Sequence, residues 1–431
     1  MNQHKLMSLM RFTMILCLTL AVGILRGQTQ FIGPANGDWF TAANWNNGLP
    51  AVGNDANISG GASVVIGAPL TAGFQIQNFG TVTNNSTLTV NTTLISGGAL
   101  INTGTVTISA GASMTSSGGF TNSGTLNNKG SVNSNSAFAN GATGVVNNES
   151  NFQQGALFTN DGIVSNKAGN FTCPQTFTNN KTVENLATAT FTVDFGGAFT
   201  NATGSTLANA GTFRNFASFT NNTTVTNTGQ YVNSGTHTCN GTFNNENGGR
   251  FESGGTVNLS GRWNNKVGST TQSSNFFNVL ANGFFDNFGT FQNNNKIDVK
   301  AGGTFCNEAA AVVNSLFGST IVNAGYIKTQ TSSKIVSNGE INNSNLFLNS
   351  GTIESNDGAK IINSDSLINT SIIKNVNVIT NTGYFENNST IENMSGAVWT
   401  NSGTFLNTVP GIVLNGFVPN KIQACLKFHS R

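Results

Sequence analysis

Apolar residues alternate with polar ones in short stretches along most of the chain. In GTVTISA (residues 104–110) and STLTV (residues 86–90), every second side chain is apolar and the intervening ones are mostly Thr or Ser. Alternation of this kind is typical of β-strands that bury one face. Asn-Gly, Gly-Gly and Asn-Asn pairs follow such stretches and predict turns. The pattern therefore predicts many short strands, and no stretch beyond residue 27 sustains a helical periodicity.

A nine-residue motif returns along the chain at nearly regular intervals. FTNSGTLNN, which begins at residue 120, has close copies that begin at residues 158, 177, 219 and 399. A period of about 20 residues, held over most of a chain, indicates a solenoid in which one repeat forms one coil. The apolar anchors of successive repeats are Leu100, Phe120, Phe138, Phe158, Phe177, Phe199, Phe219, Phe243, Trp263, Phe285 and Phe305.

The period predicts an all-β fold, a single right-handed parallel β-helix with about 20 residues and three short strands per coil. Residues 59–410 have room for roughly 17 coils, a rod on the order of 80 Å at a strand spacing of about 4.8 Å. Left-handed solenoids typically have a strict six-residue rhythm. The motif spacing in this chain shows no such rhythm. The long step from Phe219 to Phe243 predicts a coil with room for a larger loop.

The motif assigns core and surface positions within each repeat. Phe120 and Leu126 share one parity and are expected to fill the core, whereas Thr121 and Thr125 face outward. Residues 122–124 are expected to form a corner. The residues assigned to structural repeat positions are Phe120, Asn122, Gly124, Leu126, Phe158, Asn160, Phe177, Asn179, Phe219, Asn221, Phe347 and Asn349.

Asn122 has the inward parity of Phe120, and a buried amide without partners costs about 1–3 kcal/mol. Asn side chains of successive coils could satisfy one another in a ladder. Alternatively, Asn-x-Gly could form a corner in which Asn or Gly adopts a left-handed conformation. We favour a corner whose Asn also joins a ladder, over a role for Asn in contacting sugars.

Residues 1–27 have the features of a secretory signal peptide. Lys5 and Arg11 precede the apolar run FTMILCLTLAVGIL, and cleavage is expected near Gly27. Removing this segment takes away Lys5, Arg11 and Arg26, which leaves 19 − 3 = 16 basic residues against 17 acidic ones, a net charge of −1. No membrane span is predicted in the mature chain. A nearly neutral chain without a basic stripe is not expected to bind nucleic acid.

Both ends of the repeat region depart from the motif. Residues 28–58 are predicted to cap the first coil, because an open end of a β-helix invites edge-to-edge association. Trp39 and Trp45 are expected to plug that coil rather than to stack on a sugar ring. Residues 411–431 form a divergent C-terminal tail.

The composition shows few residues suited to catalysis. Only 8% of residues are charged, whereas 37% are hydrophobic, including 32 Phe, which argues against disorder. His237 and His429 are the histidines beyond the signal peptide, and no motif supports a catalytic triad around His237. The cysteines beyond the signal peptide are expected to be small buried residues rather than disulfide partners. They are Cys173, Cys239, Cys306 and Cys425.

We predict no catalytic, cofactor-binding or metal-binding residues, and the protein is not expected to be an enzyme. Three or more Asp, Glu, Arg or Lys side chains converging in one groove would argue against an adhesive protein, because β-helix enzymes need such a group. The acidic residues are instead scattered, and close pairs are interpreted as solvated surface charges. The pairs are Glu246 with Glu252, Glu354 with Asp357, and Glu386 with Glu392.

Thr-x-Thr pairs raise the possibility of an ice-binding surface, because regular Thr arrays on a flat solenoid face bind ice. The pairs are not seen to recur at one phase through later coils, so β-propensity is the favoured explanation. The pairs are Thr81 with Thr83, Thr87 with Thr89, and Thr105 with Thr107.

The segment W-x5-W-x-x-G-x-P, from Trp39 to Pro50 and completed by Asp55 and Ile58, resembles the opening of secreted bacterial β-helix proteins. The FTNSGTL-type repeats resemble large surface proteins and adhesins of Bacteroidota-like bacteria. These are similar in architecture to filamentous haemagglutinin and autotransporter passengers. The C-terminal tail lacks the endings usual in such proteins.

This resemblance implies an exported, non-enzymatic structural or adhesive protein, secreted or at a bacterial cell surface. Its implied partners are surface glycans or other cell-surface proteins. The alternatives are a carbohydrate-active β-helix enzyme of polysaccharide lyase or glycosidase type, or a truncated fragment of a larger surface protein.

Overall fold

The computed structural model describes residues 27–416, so the predicted signal peptide before Gly27 and the predicted tail from residue 417 lie outside the described residues. The chain divides into two compact units, Met1–Phe138 and Ala139–Arg431. In each unit, successive strands in the chain occupy three faces in turn, called faces 1, 2 and 3. Besides strands, the described residues form one short 3-10 helix, Ala42–Asn44.

The first unit contains the predicted cap and the first coils. Its strands on face 1 are Gly37–Asp38, Ser63–Ile66, Thr81–Asn84, Ala99–Asn102 and Phe120–Asn122. On face 2 they are Leu70–Ala72, Thr87–Val90, Thr105–Ile108 and Thr125–Asn128. On face 3 they are Gly27–Gln30, Asn54–Ile58, Ile76–Asn78, Thr93–Ser96, Ser113–Ser116 and Ser131–Ser134. The strand Phe138–Asn140 lies at the boundary of the two units.

The second unit repeats the same three faces. On face 1 its strands are Phe158–Asn160, Thr176–Asn179, Ala198–Asn201, Ser218–Asn221, Thr236–Cys239, Thr256–Leu259, Phe276–Val279, Lys296–Val299, Thr320–Asn323, Glu340–Asn343, Lys360–Asn363, Val378–Asn381 and Val398–Asn401. On face 2 they are Val145–Asn148, Thr206–Asn209, Thr224–Asn227, Thr242–Asn245, Arg262–Asn265, Phe284–Asn287, Thr304–Asn307, Tyr326–Thr329, Leu346–Asn349, Ser366–Asn369, Tyr384–Asn387 and Thr404–Asn407. On face 3 they are Asn151–Gln154, Thr212–Asn215, Gln230–Asn233, Arg250–Ser253, Thr270–Ser273, Thr290–Asn293, Val312–Ser315, Lys334–Ser337, Thr352–Ser355, Ile372–Asn375, Thr390–Asn393 and Ile412–Asn415.

Two longer strands of the second unit, Ile163–Cys173 and Thr182–Val193, run from face 2 into face 3. Their pairing shifts register between Asn166 and Ala168, which marks a bulge at the corner. The last strand, Ile412–Asn415, lies within the predicted tail and pairs in register with Thr390–Asn393.

Strands of successive coils pair in parallel on every face. On face 1, for example, Phe158 lies beside Phe177, Phe177 beside Phe199, and Phe199 beside Phe219. In most strands the second and fourth residues are buried and the first and third are more exposed. The prediction of an all-β, parallel β-solenoid with about 20 residues per coil is therefore confirmed.

A strict six-residue rhythm is absent, as predicted, but a six-residue unit recurs locally in the structure. A strand of four residues and a corner of two form the basic unit, as in the strands that begin at residues 87, 93, 99 and 105. Three such units give the shortest coil of 18 residues, the separation of Asn84 and Asn102. Other corners hold three or four residues, so other coils span 19, 20, 22 or 24 residues. These longer corners hide the rhythm in the motif spacing.

The predicted long coil between Phe219 and Phe243 is wrong. Phe219 pairs with His237 of the next coil, whereas Phe243 lies on face 2 beside Val225. All three faces carry the same apolar-x-Asn pattern, so the motif spacing passes from face 1 to face 2 where His237 replaces the apolar anchor. The anchors from Phe243 to Phe305 consequently belong to face 2.

Aromatic rings fill the core in the middle of the second unit. On face 1, Phe158, Phe177 and Phe199 stack with centroid separations of 4.5 and 4.8 Å. Phe171 and Phe191 form a second column on face 3, and Phe191 meets Phe177 edge-on at 5.6 Å. Each aromatic pair adds about 0.5–1.5 kcal/mol beyond the area that it buries. The alternating stacked and edge-on contacts hold successive coils together from within.

Candidate functional site

The predicted repeat residues lie where the motif places them in each coil. Phe120, Phe158, Phe177, Phe219 and Phe347 are all buried and point into the core. The Asn residues two positions later are buried as well, at the ends of their strands. Thr121 is exposed and Leu126 is buried. The Phe347 copy, however, lies on face 2, whereas the other four lie on face 1.

Buried Asn side chains form ladders at the ends of the strands. The Asn102 Nδ2 donates to Asn122 Oδ1 at 2.7 Å and to the Thr125 carbonyl at 3.0 Å. In the second unit the Asn160 amide donates to Asn179, and Asn179 donates to Asn201, each at 2.8 Å. The predicted ladder is thus confirmed, and it recurs on all three faces. Other members of the ladders include Asn166, Asn185 and Asn209 on face 2, and Asn215 and Asn233 on face 3.

The same Asn side chains also shape the corners. The Asn78 Oδ1 accepts a hydrogen bond from the Gly80 N–H at 3.1 Å, and Asn323 accepts one from Gly325 at 3.1 Å. The alternative with a left-handed corner does not apply to Gly124, whose φ is not positive. A Cβ at Gly124 would instead lie 2.0 Å from the Gly104 carbonyl oxygen of the preceding coil. Close approach of two coils, rather than backbone handedness, therefore favours glycine there.

The face 1 ladder is interrupted in the middle of the second unit. Asn221 is followed in register by Cys239, and its amide lies 3.7 Å from the Cys239 sulfur. The next coils place Leu259, Val279 and Val299 at this position, and the ladder resumes at Asn323. The polar ladder is therefore replaced by apolar packing over these coils.

Trp39 and Trp45 lie inside the predicted cap with 1% and 3% of their surfaces exposed. Their rings meet at a centroid separation of 4.9 Å, and the Trp45 Nε1 donates to the Trp39 carbonyl at 2.8 Å. Phe31 packs edge-on against Trp45. At this burial, neither indole is placed to stack on a sugar ring.

One outward surface of face 2 concentrates ionisable side chains that are far apart in sequence. Asp286, Cys306 and Lys328 occupy the third positions of three successive strands, and Glu308 follows the second of these strands. The side-chain ligand atoms of Asp286, Cys306 and Glu308 lie within 4.8 Å of one another. We call Arg262, Asp286, Cys306, Glu308 and Lys328 the Asp286 cluster.

Arg262 covers the buried end of this cluster. Its guanidinium forms an ion pair with Asp286, which is 2% exposed, and lies 4.9 Å from the centre of the Phe284 ring. Cys306 is 6% exposed although its position faces outward. The sequence analysis missed the cluster because its members are about one coil apart, and the sheet register brings them together.

Burial disfavours the charged forms of all three acidic groups. It raises the pKa of the Cys306 thiol to about 12, with a further increase from the Asp286 and Glu308 carboxylates. Burial also raises the pKa of Asp286, although the Arg262 charge acts in the opposite direction. The pKa of Glu308 is raised by burial and by Asp286. The cluster thus contains a protonated thiol at neutral pH.

Asp286, Cys306 and Glu308 offer one sulfur and two carboxylates that could contact a metal ion. A divalent cation, however, would have to displace the Arg262 guanidinium and remove the proton of a thiol whose pKa is about 12. These donors therefore fit a resident metal ion poorly. The ion pair between Arg262 and Asp286 is favoured over metal binding at these residues.

The acidic pairs named from the sequence have other partners in the structure. Glu252 pairs with Arg250, and Glu354 lies 2.6 Å from the Lys334 Nζ and 3.7 Å from the Lys374 Nζ. Glu386 accepts hydrogen bonds from Tyr384 and Asn388. None of these interactions joins the two members of a predicted pair.

The described cysteines, Cys173, Cys239 and Cys306, are free and buried, as predicted. Cys425 lies outside the described residues. Cys173 and Cys239 end strands on different faces, because the first ends the long strand Ile163–Cys173 and the second lies on face 1.

The fold defines the protein as a parallel β-solenoid. Comparison with protein-family models and with curated proteins gives no match. The structure therefore agrees with the resemblance to bacterial surface β-helix proteins only in its β-solenoid architecture. Within the part of the chain that the structure describes, no helix is long and apolar enough to cross a bilayer.

Proposed function

We propose that this protein is an exported, non-enzymatic protein with a structural or adhesive role at a bacterial cell surface. The observation that carries this proposal is the repeated use of the motif. In the copies that begin at Phe120, Phe158 and Phe177, a ring fills the core, an amide joins a ladder and the residue between them faces outward. Such repetition builds extended faces, and solenoids bind through extended faces rather than through single residues.

The dimensions of the second unit suit a stiff display scaffold. Twelve successive parallel pairings on face 1 connect Phe158–Asn160 to Val398–Asn401. At about 4.8 Å per strand this stack measures roughly 60 Å. Surface glycans and other cell-surface proteins are the partners that such faces would meet.

Export is tested by locating the chain in bacterial cells. The full chain and a variant that lacks residues 2–27 are expressed, and cytoplasm, envelope and medium are separated and probed with an antibody. We expect the full chain outside the cytoplasm and the shortened variant inside it. Retention of both chains in the cytoplasm would contradict the proposal.

A second candidate function is polysaccharide cleavage at the Asp286 cluster, because two carboxylates, an arginine and a lysine converge there. This number of charged side chains meets the criterion stated above as an argument against an adhesive protein, so the exposure of the carboxylates has to decide between the two functions. Glycosidases need two carboxyl groups that reach the sugar, and Asp286 is buried beneath its ion pair with Arg262. This burial favours a structural role for the pair.

The enzyme alternative is tested by incubating the protein with a panel of neutral and acidic polysaccharides. Asp286→Asn and Glu308→Gln serve as the site variants, and Glu354→Gln on face 3 is the matched control. We expect no release of reducing or unsaturated ends by any of the four proteins. Release that disappears only in the two site variants would replace the adhesive function with an enzymatic one.

A further inference from the structure

Face 1 of the second unit carries two columns of outward side chains that are mostly hydroxylated and uncharged. One column is formed by the third residues of the four-residue strands together with Thr159, which pairs with Thr178, and the other by the first residues. The third-residue column is Thr159, Thr178, Thr200, Thr220, Thr238 and Asn258. The first-residue column is Thr176, Ala198, Ser218, Thr236 and Thr256.

The columns are in strict register. Thr178 pairs with Thr200, Thr200 with Thr220, and Thr220 with Thr238. In the other column Ser218 pairs with Thr236. Strict Thr-x-Thr pairs occur on this face of the second unit only at Thr176 with Thr178 and at Thr236 with Thr238, but hydroxylated side chains continue one or both columns through the coils between them. The sequence hides this continuity because coils of 18 to 22 residues separate equivalent positions.

The hydroxyl groups of this array are available to a ligand. Within residues 27–416, the Thr and Ser side chains of both columns donate no hydrogen bond to protein and accept none. Thr176, Ser218 and Thr236 are exposed, and the Thr residues of the third-residue column are partly exposed. Each hydroxyl offers one donor and two acceptor positions, and each Thr adds a methyl group beside them.

The spacing of these hydroxyls is fixed by the fold beneath them. Rows are about 4.8 Å apart along the stack, and the two columns are about 6.6 Å apart along each strand, which is two residues at about 3.3 Å. The Asn179 and Asn201 ladder amides hold adjacent rows in register at the strand ends. Phe177, Phe199 and Phe219 stack directly under the rows.

We propose that this hydroxyl array, centred on Thr200, Thr220 and Thr238, binds ice. Its two spacings lie close to oxygen repeats of the hexagonal ice lattice, and the parallel register repeats them along the stack. The absence of charge in both columns from Thr176 to Asn258 avoids the tightly bound hydration of ions. The methyl groups order the adjacent water, and the hydroxyls bond it.

The proposal goes beyond the proposed function, because it requires neither export nor a cell-surface partner. It also distinguishes face 1 from the other faces of the same unit. On face 2 the equivalent third-residue column includes Glu184, Ala208 and Thr226, and on face 3 it includes Arg214 and Glu252. Charged residues interrupt both of these columns.

The proposal is tested by partition of the purified protein into slowly growing polycrystalline ice. Thr220→Tyr places a bulky ring at the centre of the array. Thr226→Tyr is the matched control, with the same residue type and strand position on face 2. We expect wild type and the control to be enriched in the ice fraction and Thr220→Tyr to lose most of that enrichment. Inhibition of ice recrystallisation should follow the same order.

Circular dichroism and thermal melting of each variant show whether it has folded. If Thr220→Tyr does not fold, Thr238→Lys supplies the second test, since a long charged side chain is readily accommodated at an outward position. Wild-type partition no higher than that of serum albumin would overturn the proposal, as would equal losses in the face 1 and face 2 variants. Binding to crystalline cellulose or chitin without enrichment in ice would overturn it in favour of a polysaccharide ligand.

Discussion

The inward Asn of each motif copy combines two tasks that are usually separate. Its Oδ1 accepts hydrogen bonds within the corner, and its Nδ2 donates both to the next Asn and to a carbonyl of the following coil. Because most of these amides have partners for both Oδ1 and Nδ2, a polar residue can occupy a fully buried position. The Oδ1 atoms of Asn293 and Asn375 are exceptions among the described residues. Stacked coils supply these partners, which a single coil lacks.

Asn185 provides a test of the ladder. Its Oδ1 accepts from Asn166 at 2.8 Å, and its Nδ2 donates to Asn209 at 2.7 Å and to the Thr212 carbonyl at 2.9 Å. Asn185→Ala should lower the free energy of unfolding by about 1–3 kcal/mol for each buried group left without a partner. Denaturant unfolding followed by circular dichroism measures the change.

Asn222→Ala is the matched control, because Asn222 accepts a hydrogen bond from Asn240 on the exposed surface. Its effect should stay within about 0.5 kcal/mol. Equal losses for the two variants would show that the buried ladder contributes no more than a surface contact.

His237 is the residue at which the aromatic core meets an ionisable group. It is fully buried between Phe219 and Tyr231, and neither ring nitrogen has a hydrogen-bond partner among the described residues. Burial lowers the pKa of His237 to about 3. The core thus holds His237 in its neutral form at pH values where a solvated histidine is protonated.

The free energy of unfolding should fall as the pH drops from about 6.5 to about 3, because the unfolded chain then binds a proton that the folded chain does not. At pH 4.5 the loss from His237 amounts to ~3 kcal/mol, two pH units at about 1.4 kcal/mol each. His237→Phe removes this contribution and continues the Phe219 column. Denaturation midpoints of both proteins at pH 7 and pH 4.5 measure it, and an identical pH dependence would contradict the assignment.

At the scale of elements, the corners determine the length of each coil. Two-residue corners keep the six-residue rhythm, and four-residue corners add two residues each. Most four-residue corners contain one positive-φ residue, for example Gly204 at 84° and Ala310 at 63°. A residue in the left-handed conformation turns the chain from one face to the next at these corners, and this conformation favours glycine.

Gly204 and Ala310 occupy equivalent turns. Exchanging Gly for Ala at one and Ala for Gly at the other should change the free energy of unfolding in opposite directions. A Cβ at Gly204 meets no atom within 4 Å, so Gly204→Ala should cost about 1 kcal/mol through backbone strain alone. Ala310→Gly relieves that strain but adds chain entropy to the unfolded state, so a gain below about 1 kcal/mol is expected. Paired denaturation curves measure both changes, and a shift of the same sign in both variants would refute the role of handedness.

At the scale of the whole molecule, the N-terminal segment has a predicted role as a cap. Its strands Gly27–Gln30 and Gly37–Asp38 pair with the strands Asn54–Ile58 and Ser63–Ile66. Trp45 packs against Phe31 and Trp39 and is 3% exposed. Solenoids depend on such terminal segments to cover their ends.

Trp45→Ala should destabilise the first unit by about 3–5 kcal/mol, because it removes a large buried ring. An uncovered end also exposes unpaired strand edges, so the variant should associate as its concentration rises. Thermal melting and light scattering after size-exclusion chromatography measure the two effects. Leu49→Ala, at a residue that is 39% exposed in the same segment, is the control and should behave like wild type.

The motif was sufficient to predict the ladder and the core. Phe120, Asn122 and Leu126 were assigned from parity alone, because the two-residue period of a strand fixes which side chains point inward. The Asp286 cluster and the hydroxyl array could not be found in the same way. Asp286 and Cys306 are a whole coil apart along the chain, and nothing local in the sequence states that they are neighbours.

The sequence by itself determined that the chain forms coils, because alternation, turn residues and the repeat period can all be read along the chain. It also determined what each coil buries, as the Phe and Asn of the motif show. Only the tertiary structure decided which face each copy occupies. The three faces share one pattern, and corners of two, three or four residues shift the count, so His237 and Phe243 could be distinguished only by their strand partners. Some surfaces form only because strands of successive coils pair in register. The column of Thr200, Thr220 and Thr238 is such a surface, and it therefore becomes visible only when the coils are stacked.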